Sequence, residues 1–238
     1  MSQTPRLFVD ASLSADADIP LSPPQAHYLG NVLRLANGAE LEVFNGRDGQ
    51  WSAVLEAAGK RGGSARALAL TAPQRDPPDL WLLFAPLKKA RTDFTIEKAV
   101  ELGAARIQPV TTAFTNAERL RQDKLRAHAV EAAEQCGATS VPEVAELAKL
   151  SALLDRWPED RQLLFCDEAL AGEGPAIPAI PGPWAILIGP EGGFSAEERA
   201  RLHALPFAHP IGLGPRILRA ETAAVAALTL WQASLGDW

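Results

Sequence analysis

Along residues 6–72 apolar and polar positions alternate in short runs. Arg6-Leu7-Phe8-Val9, Glu40-Leu41-Glu42-Val43-Phe44, Gln50-Trp51-Ser52-Ala53-Val54-Leu55 and Arg66-Ala67-Leu68-Ala69-Leu70 each predict a strand. Asn37-Gly38 marks a turn, and Asn45-Gly46 with Asp48-Gly49 marks a hairpin between the second and third runs. Tyr28, Leu29, Val32, Leu33 and Leu35 recur instead at helical spacing, predicting a short helix within 22–35. Short strands separated by glycine turns predict a small β-barrel over residues 1–72. Residues 73–79, Pro-Gln-Arg-Asp-Pro-Pro-Asp, read as a linker.

From residue 80 to 238 the pattern switches to strand and helix in alternation. Strands are predicted at Leu80–Leu87, Arg106–Thr111, Gln162–Cys166, Trp184–Ile188 and Pro210–Leu213. A helix capped by Thr92 or Asp93 runs to Leu102 and ends at Gly103; others are predicted at Arg119–Cys136, Leu147–Trp157, Ser195–Ala204 and Ala220–Ser234. Such alternation predicts an α/β domain with a mostly parallel sheet covered on both faces.

Composition narrows the class. Of 238 residues, 47% are hydrophobic and 22% charged, which suits a globular core. No apolar run is long enough to span a bilayer, and the start of the chain lacks a signal-peptide pattern, so a cytoplasmic protein is expected. Cys136 and Cys166 stand thirty positions apart, and His27, His128, His203 and His209 show no ligand spacing; no metal is expected. The net charge of −6 argues against nucleic acid, but it is unevenly spread. Residues 86–126 carry nine basic and five acidic side chains, whereas 127–200 carry four and thirteen. The basic stretch is either a solvated helix face or an anion-binding surface.

Two strands end in glycine turns. Ile186-Leu187-Ile188 runs into Gly189-Pro190-Glu191-Gly192-Gly193, and Ser195 with Glu198 forms a capping box that starts a helix at once. Ile211 runs into Gly212-Leu213-Gly214-Pro215, followed by Arg216, Arg219 and Glu221 before an alanine-rich helix. In parallel α/β sheets ligands bind at the carboxyl ends of strands. Bare backbone there permits a close approach, by a ligand or by another stretch of chain. Neither turn is a phosphate loop or a dinucleotide fingerprint: no Lys-Ser/Thr pair follows, and Glu191 would repel a pyrophosphate.

"LIGPEGGFSAEE" and "LGPRILRAETA" together resemble the RsmE-type ribosomal RNA methyltransferases of the SPOUT superfamily. "PLKKARTDFTIEKAVELGA" at 86–104, "EQCG" with "VPEV" at 134–144, and "HYLGNVLRLANGAELEVFNG" at 27–46 extend the resemblance over essentially the whole chain. It implies a PUA-like RNA-binding barrel over 1–72, the 73–79 linker, and over 80–238 a SPOUT methyltransferase domain whose C-terminal part is tucked into a trefoil knot. It also implies a homodimer, S-adenosylmethionine as cofactor, and methylation of N3 of one uridine in 16S ribosomal RNA, free or in the small ribosomal subunit. Two departures are visible: the family usually has arginine where this chain has Ala138, and often near where it has Phe114.

By position, the resemblance puts the cofactor against Ile188, Gly189, Pro190, Glu191, Gly192, Gly193, Leu213, Gly214, Ile217, Leu218 and Thr222, with Cys166, Asp167 and Glu168 beside it. Uracil N3 must lose a proton to attack a methyl group. A cation near O2 or O4 would stabilise the anion, which suits Arg219, with Arg216 positioning. A carboxylate would take the proton, for which Glu221 and Glu191 are candidates, water being the alternative. RNA contact is expected from Arg34 on the barrel and from Lys88, Arg91 and Lys98. Rival readings are a related SPOUT enzyme acting on transfer RNA or a ribose 2′-OH, and a non-catalytic RNA-binding or ribosome-assembly protein.

Overall fold

The structure, a computed structural model, describes residues 4–116 and 120–238. The residues Met1 to Gln3, and Arg119 at the start of the long predicted helix, lie outside the described residues. The chain forms two compact units, Met1–Asp76 with Ala133–Val141 and Pro77–Ala132 with Pro142–Trp238.

The first unit is a five-stranded mixed sheet. Its strands are β1 (Arg6–Phe8), β2 (Asp18–Leu21), β3 (Glu40–Phe44), β4 (Gln50–Gly59) and β5 (Gly62–Ala72), in the order β1-β3-β4-β5-β2. Only β1 and β3 are parallel. Leu7, Ile19, Leu41, Ala53 and Ala65, one from each strand, share a single core, so the sheet curls around it. Strand β2 escaped the sequence pattern because it is short and contains Pro20, which a sheet edge tolerates. The hairpin β4–β5 runs past the expected ends as far as Gly59 and Gly62, through small residues that carry little alternation. The predicted helix divides into α1 (Pro23–His27) and a π-helical turn over Tyr28–Val32.

The second unit carries β6 (Leu80–Phe84), α2 (Lys89–Glu101), β7 (Arg106–Thr111), α3 (Gln122–Cys136, whose last residues belong to the first unit), β8 (Glu143–Val144), β9 (Ala148–Lys149), α4 (Leu150–Leu154), β10 (Gln162–Cys166), β11 (Trp184–Ile188), α5 (Ala196–Ala204), β12 (Ala208–Ile211) and α6 (Ala220–Leu235). The seven-stranded sheet runs β12-β10-β11-β6-β7-β8, with β9 also on β7, and every pair is parallel. All five residues of β11 are buried, as a central strand covered on both faces requires.

Four expectations shift. Strand β6 stops at Phe84. Helix α2 starts at Lys89, so Thr92 lies inside it; its Oγ1 donates to the Leu87 carbonyl and accepts from the Leu87 amide, both at 3.0 Å. The helix expected over 147–157 shrinks to α4, its first residues being drawn into β9 by pairing with β7. Strand β12 ends at Ile211, which frees Gly212, Leu213 and Gly214 as a loop. That loop passes other chain closely: a Cβ on Gly212 would lie 2.2 Å from the Leu170 carbonyl oxygen and 2.8 Å from that of Glu173. Among the described residues no helix is long and apolar enough to cross a membrane.

Candidate active site

Strands β10, β11 and β12 lie side by side, and the loops leaving their carboxyl ends enclose a pocket of about 420 Å³. That is the size range of small-molecule and cofactor clefts, ~300–1,000 Å³. Cys166 ends β10 and Glu168 follows it; Ile188 ends β11 and Gly189, Pro190, Glu191 and Gly193 follow it; Leu213, Gly214, Arg216, Ile217, Leu218 and Arg219 follow β12. Residues from 166 to 219 therefore converge because three parallel strands end at one edge. Three predicted members are not among the lining residues. Gly192 faces a second cavity on the other side of its loop, Thr222 is exposed on α6, and Glu221, paired with Arg91, also lies outside the lining.

The bare backbone of the first turn has internal reasons. A Cβ on Gly189 would meet the Phe194 ring at 2.6 Å. Gly193 has φ +70°, and a Cβ there would lie 2.2 Å from Glu168 Oε1. These two glycines admit protein groups that shape the pocket, so the cradle is built partly from its own side chains.

Charge around the pocket is organised by two arginines. Arg199 on α5 places Nε 3.0 Å from Asp167 Oδ1 and donates from Nη2 to Glu168 Oε1 at 2.6 Å. Asp167, 1% exposed, also accepts the Ala169 amide and faces His203 Nε2 at 2.8 Å. Asp167 is thus saturated by protein and fixes the end of β10, while Glu168 stays at the pocket wall.

Arg91 on α2 is the second. Its Nη1 donates to Glu191 Oε1, and its Nε lies 3.5 Å from Glu221 Oε1. Glu221 Oε2 is buried without a hydrogen-bond partner. Arg91, expected from its motif as an RNA contact, lines the pocket wall and holds both candidate proton acceptors. The only hint was its neighbourhood in the 86–104 motif, since Glu191 is one hundred positions away.

Among the other expected RNA contacts, Lys98 is held between Glu97 and Glu101, each at 2.7 Å, which raises its pKa and engages its charge. Lys88 is exposed at the foot of α2, beside the second cavity. In the first unit Arg34 is exposed in the left-handed region, φ +55°, just past the π-helical turn. Such a conformation is uncommon outside glycine and asparagine.

The chemistry on offer is that of a cleft for a compact cation-bearing ligand. Ile188, Leu213 and Leu218 make apolar walls, Glu168 and Glu191 supply negative charge with Glu221 held outside the lining by Arg91, and Arg216 and Arg219 stand exposed.

Comparison with known proteins agrees over both units. The RNA methyltransferase domain matches residues 74–232, and the RNA methyltransferase PUA domain matches residues 21–67. The chain is similar to ribosomal RNA small subunit methyltransferase E of Rickettsia conorii, 29% identical over 94% of this chain and 93% of the relative. It is also similar to that of Synechocystis, 32% identical over 94% and 75%. A methyltransferase structure from Legionella pneumophila, solved with the bound cofactor SAM, superposes with a TM-score of 0.90 at 30% identity, covering 99% of this chain and all of that one. The small subunit methyltransferase E of Neisseria gonorrhoeae, bound to S-adenosyl methionine, gives 0.87 at 28% over the same shares. With that match spanning the second unit and the whole glycine-turn pocket, this chain belongs to the RNA methyltransferase family.

Proposed function

We propose that the chain methylates N3 of a uridine in 16S ribosomal RNA, using S-adenosylmethionine held at the carboxyl ends of β10–β12. One observation carries the reading: a single cleft joins apolar walls, the carboxylates of Glu168 and Glu191, and two exposed guanidiniums. The residues fit the cofactor by their chemistry. Ile188, Leu213 and Leu218 can cover its apolar surface; Glu168 and Glu191 suit its positive charges. When bound, the cofactor supplies an electrophilic methyl group on a sulfonium.

The remaining roles fall to the chain. Arg219, at the N-cap of α6, lines the cleft and is exposed, free to meet a base. Its guanidinium would stabilise negative charge on a uracil oxygen as N3 gives up its proton. Arg216 would orient the nucleotide. Glu191 or Glu221 would take the proton, trading its contact with Arg91 for the uracil N–H. Apolar walls exclude water, which strengthens each of these interactions.

Further parts of the reading are a homodimer, a threaded loop at 166–220, a cytoplasmic setting and the small ribosomal subunit as partner. The close passage of the 170–173 backbone past Gly212 supports the threading.

Methyl-labelled S-adenosylmethionine with unmodified small-subunit RNA, followed by nucleoside digestion, tests the reaction; label should appear in 3-methyluridine. Arg219→Ala should cut turnover at least ~100-fold, as removal of an oxyanion donor does. Its cofactor affinity, measured by calorimetry, should stay within about threefold of the wild type on the same principle of selective charge stabilisation. Equal losses in both would remove Arg219 from the chemistry.

A further inference from the structure

The Gly-Pro-Glu-Gly-Gly loop has two faces. One lines the cofactor cleft; on the other, Pro190, Glu191 and Gly192 wall a second cavity of about 930 Å³. The opposite walls come from the β6–α2 loop, the first turn of α2, Phe114 and the start of α3.

Its charges are unequal. Of the two carboxylates in the lining, Glu191 is held by Arg91, and Asp93 lies 3.6 Å from the His128 imidazole, a counter-charge only when that ring is protonated. Arg121 is occupied by Asp123. The ammonium groups of Lys88, Lys89 and Lys124 have no hydrogen bond or ion pair among the described residues, and all three residues are exposed. Phe114, 50% exposed, lines the same cavity, as do Leu87 and the buried Leu125. Unneutralised lysines around an exposed aromatic ring are what single-stranded nucleic acid requires: phosphates take the cations, and a base stacks on the ring.

We infer that this cavity holds a nucleotide flanking the target. Its base stacks on Phe114, and its phosphates lie against Lys88, Lys89 and Lys124. The inference rests on the methyl-transfer reading above. The shared loop explains the placement, since a strand with one base in the cleft has its next nucleotide beside the same Pro190–Gly192 segment. Phe114 then takes by stacking what an arginine there would take by charge.

The test uses the full chain. A short uridine-containing oligoribonucleotide is titrated by fluorescence anisotropy at several salt concentrations, and S-adenosylmethionine by calorimetry. Phe114→Ala should weaken oligonucleotide binding about tenfold, and Phe114→Trp should restore it. The triple variant Lys88→Ala, Lys89→Ala, Lys124→Ala should lower the slope of log affinity against log salt by about 2. Cofactor affinity should be unchanged in all of them, which also shows that they fold. Unchanged oligonucleotide affinity and salt slope overturn the inference. So does a shift in sedimentation of the triple variant with RNA binding intact, which gives the cavity to a second copy. Label transfer by the wild type is scored separately, so a failed reaction and a failed cavity are distinguishable.

Discussion

Cys136 and Cys166 differ by thirty positions and by their surroundings. Cys136 is exposed; Cys166 ends β10 in the cleft wall, where burial pushes its thiol up to about 12 from an ordinary value of 9.0. Between those values the unfolded chain has lost a proton that the folded chain keeps, so stability falls as pH rises through that window. Denaturant unfolding of wild type and Cys166→Ala should therefore diverge above pH 9, the wild type losing stability more steeply. Mass spectrometry after a brief alkylation at neutral pH should find Cys136 modified and Cys166 protected, because only the thiolate attacks. Arginines at this scale are less transparent. Arg161, with a side chain 6% exposed, binds both Asp79 carboxylate oxygens at 2.9 Å and lies 3.7 Å from the Trp81 ring centroid. In the linear sequence it looks no different from the exposed Arg219.

Helices α2 and α6 pack together, and one buried amide governs the contact. Gln232 on α6 is 1% exposed; its Nε2 donates to the Leu102 carbonyl at the end of α2 at 2.7 Å, and its Oε1 accepts the Asp237 amide at 3.2 Å. Gly103, at φ +73°, leaves room for it, since a Cβ there would stand 2.6 Å from Nε2. The sequence marks Gly103 as a helix stop, and the structure adds the reason that the stop must be small. Gln232→Leu keeps the volume but strands the Leu102 carbonyl. It should cost about 2 kcal/mol. A thermal melt should show this as a fall of about 4–8 °C for a chain of this length. A melt unchanged within error would mean that solvent replaces the amide. Arg91 joins Glu191 and Glu221 from this same α2, so the packing of α2 also sets the cleft wall.

At the scale of the whole chain, the first unit includes a segment remote from it in sequence. Residues 133–141 belong with the N-terminal sheet. Arg6, with a side chain 8% exposed, donates from Nη1 to the carbonyls of Ala133 at 2.7 Å and Glu134 at 2.9 Å, and from Nη2 to Ala138 at 2.8 Å. A guanidinium on the last carbonyls of α3 satisfies groups that a helix end leaves open and complements its dipole. Glu134 Oε1 answers by accepting the Phe8 amide at 2.9 Å. Arg6→Ala should destabilise the first unit by about 2 kcal/mol, the scale of hydrogen bonds to a charged group. Hydrogen exchange should rise over 133–141 and stay unchanged over 184–188; uniform acceleration along the chain would show that the contact is not local.

Local pattern was enough for five of the seven parallel strands, β8 and β9 being too short to show in it. The ends of β7, β10 and β11 could be read directly, because buried parallel strands are continuous apolar runs with abrupt polar or glycine borders. It was also enough for the two glycine turns and the Ser195–Glu198 cap, whose chemistry lies within a few residues. It failed where a neighbouring element decides. Residues 148–149 carry helix-like spacing but pair with β7, and β12 stops at Ile211 because the loop must pass Leu170 and Glu173. The candidate site divides in the same way. Its glycines and Arg216, Arg219 and Glu221 stand in readable motifs. The engagement of Arg91 with Glu191 and Glu221 and the saturation of Asp167 are contacts across tens of positions, and the absence of Gly192, Glu221 and Thr222 from the cleft lining follows from packing rather than motif. Hydrophobic periodicity reports which face of an element is covered; only tertiary packing decides what covers it and which charges are left free.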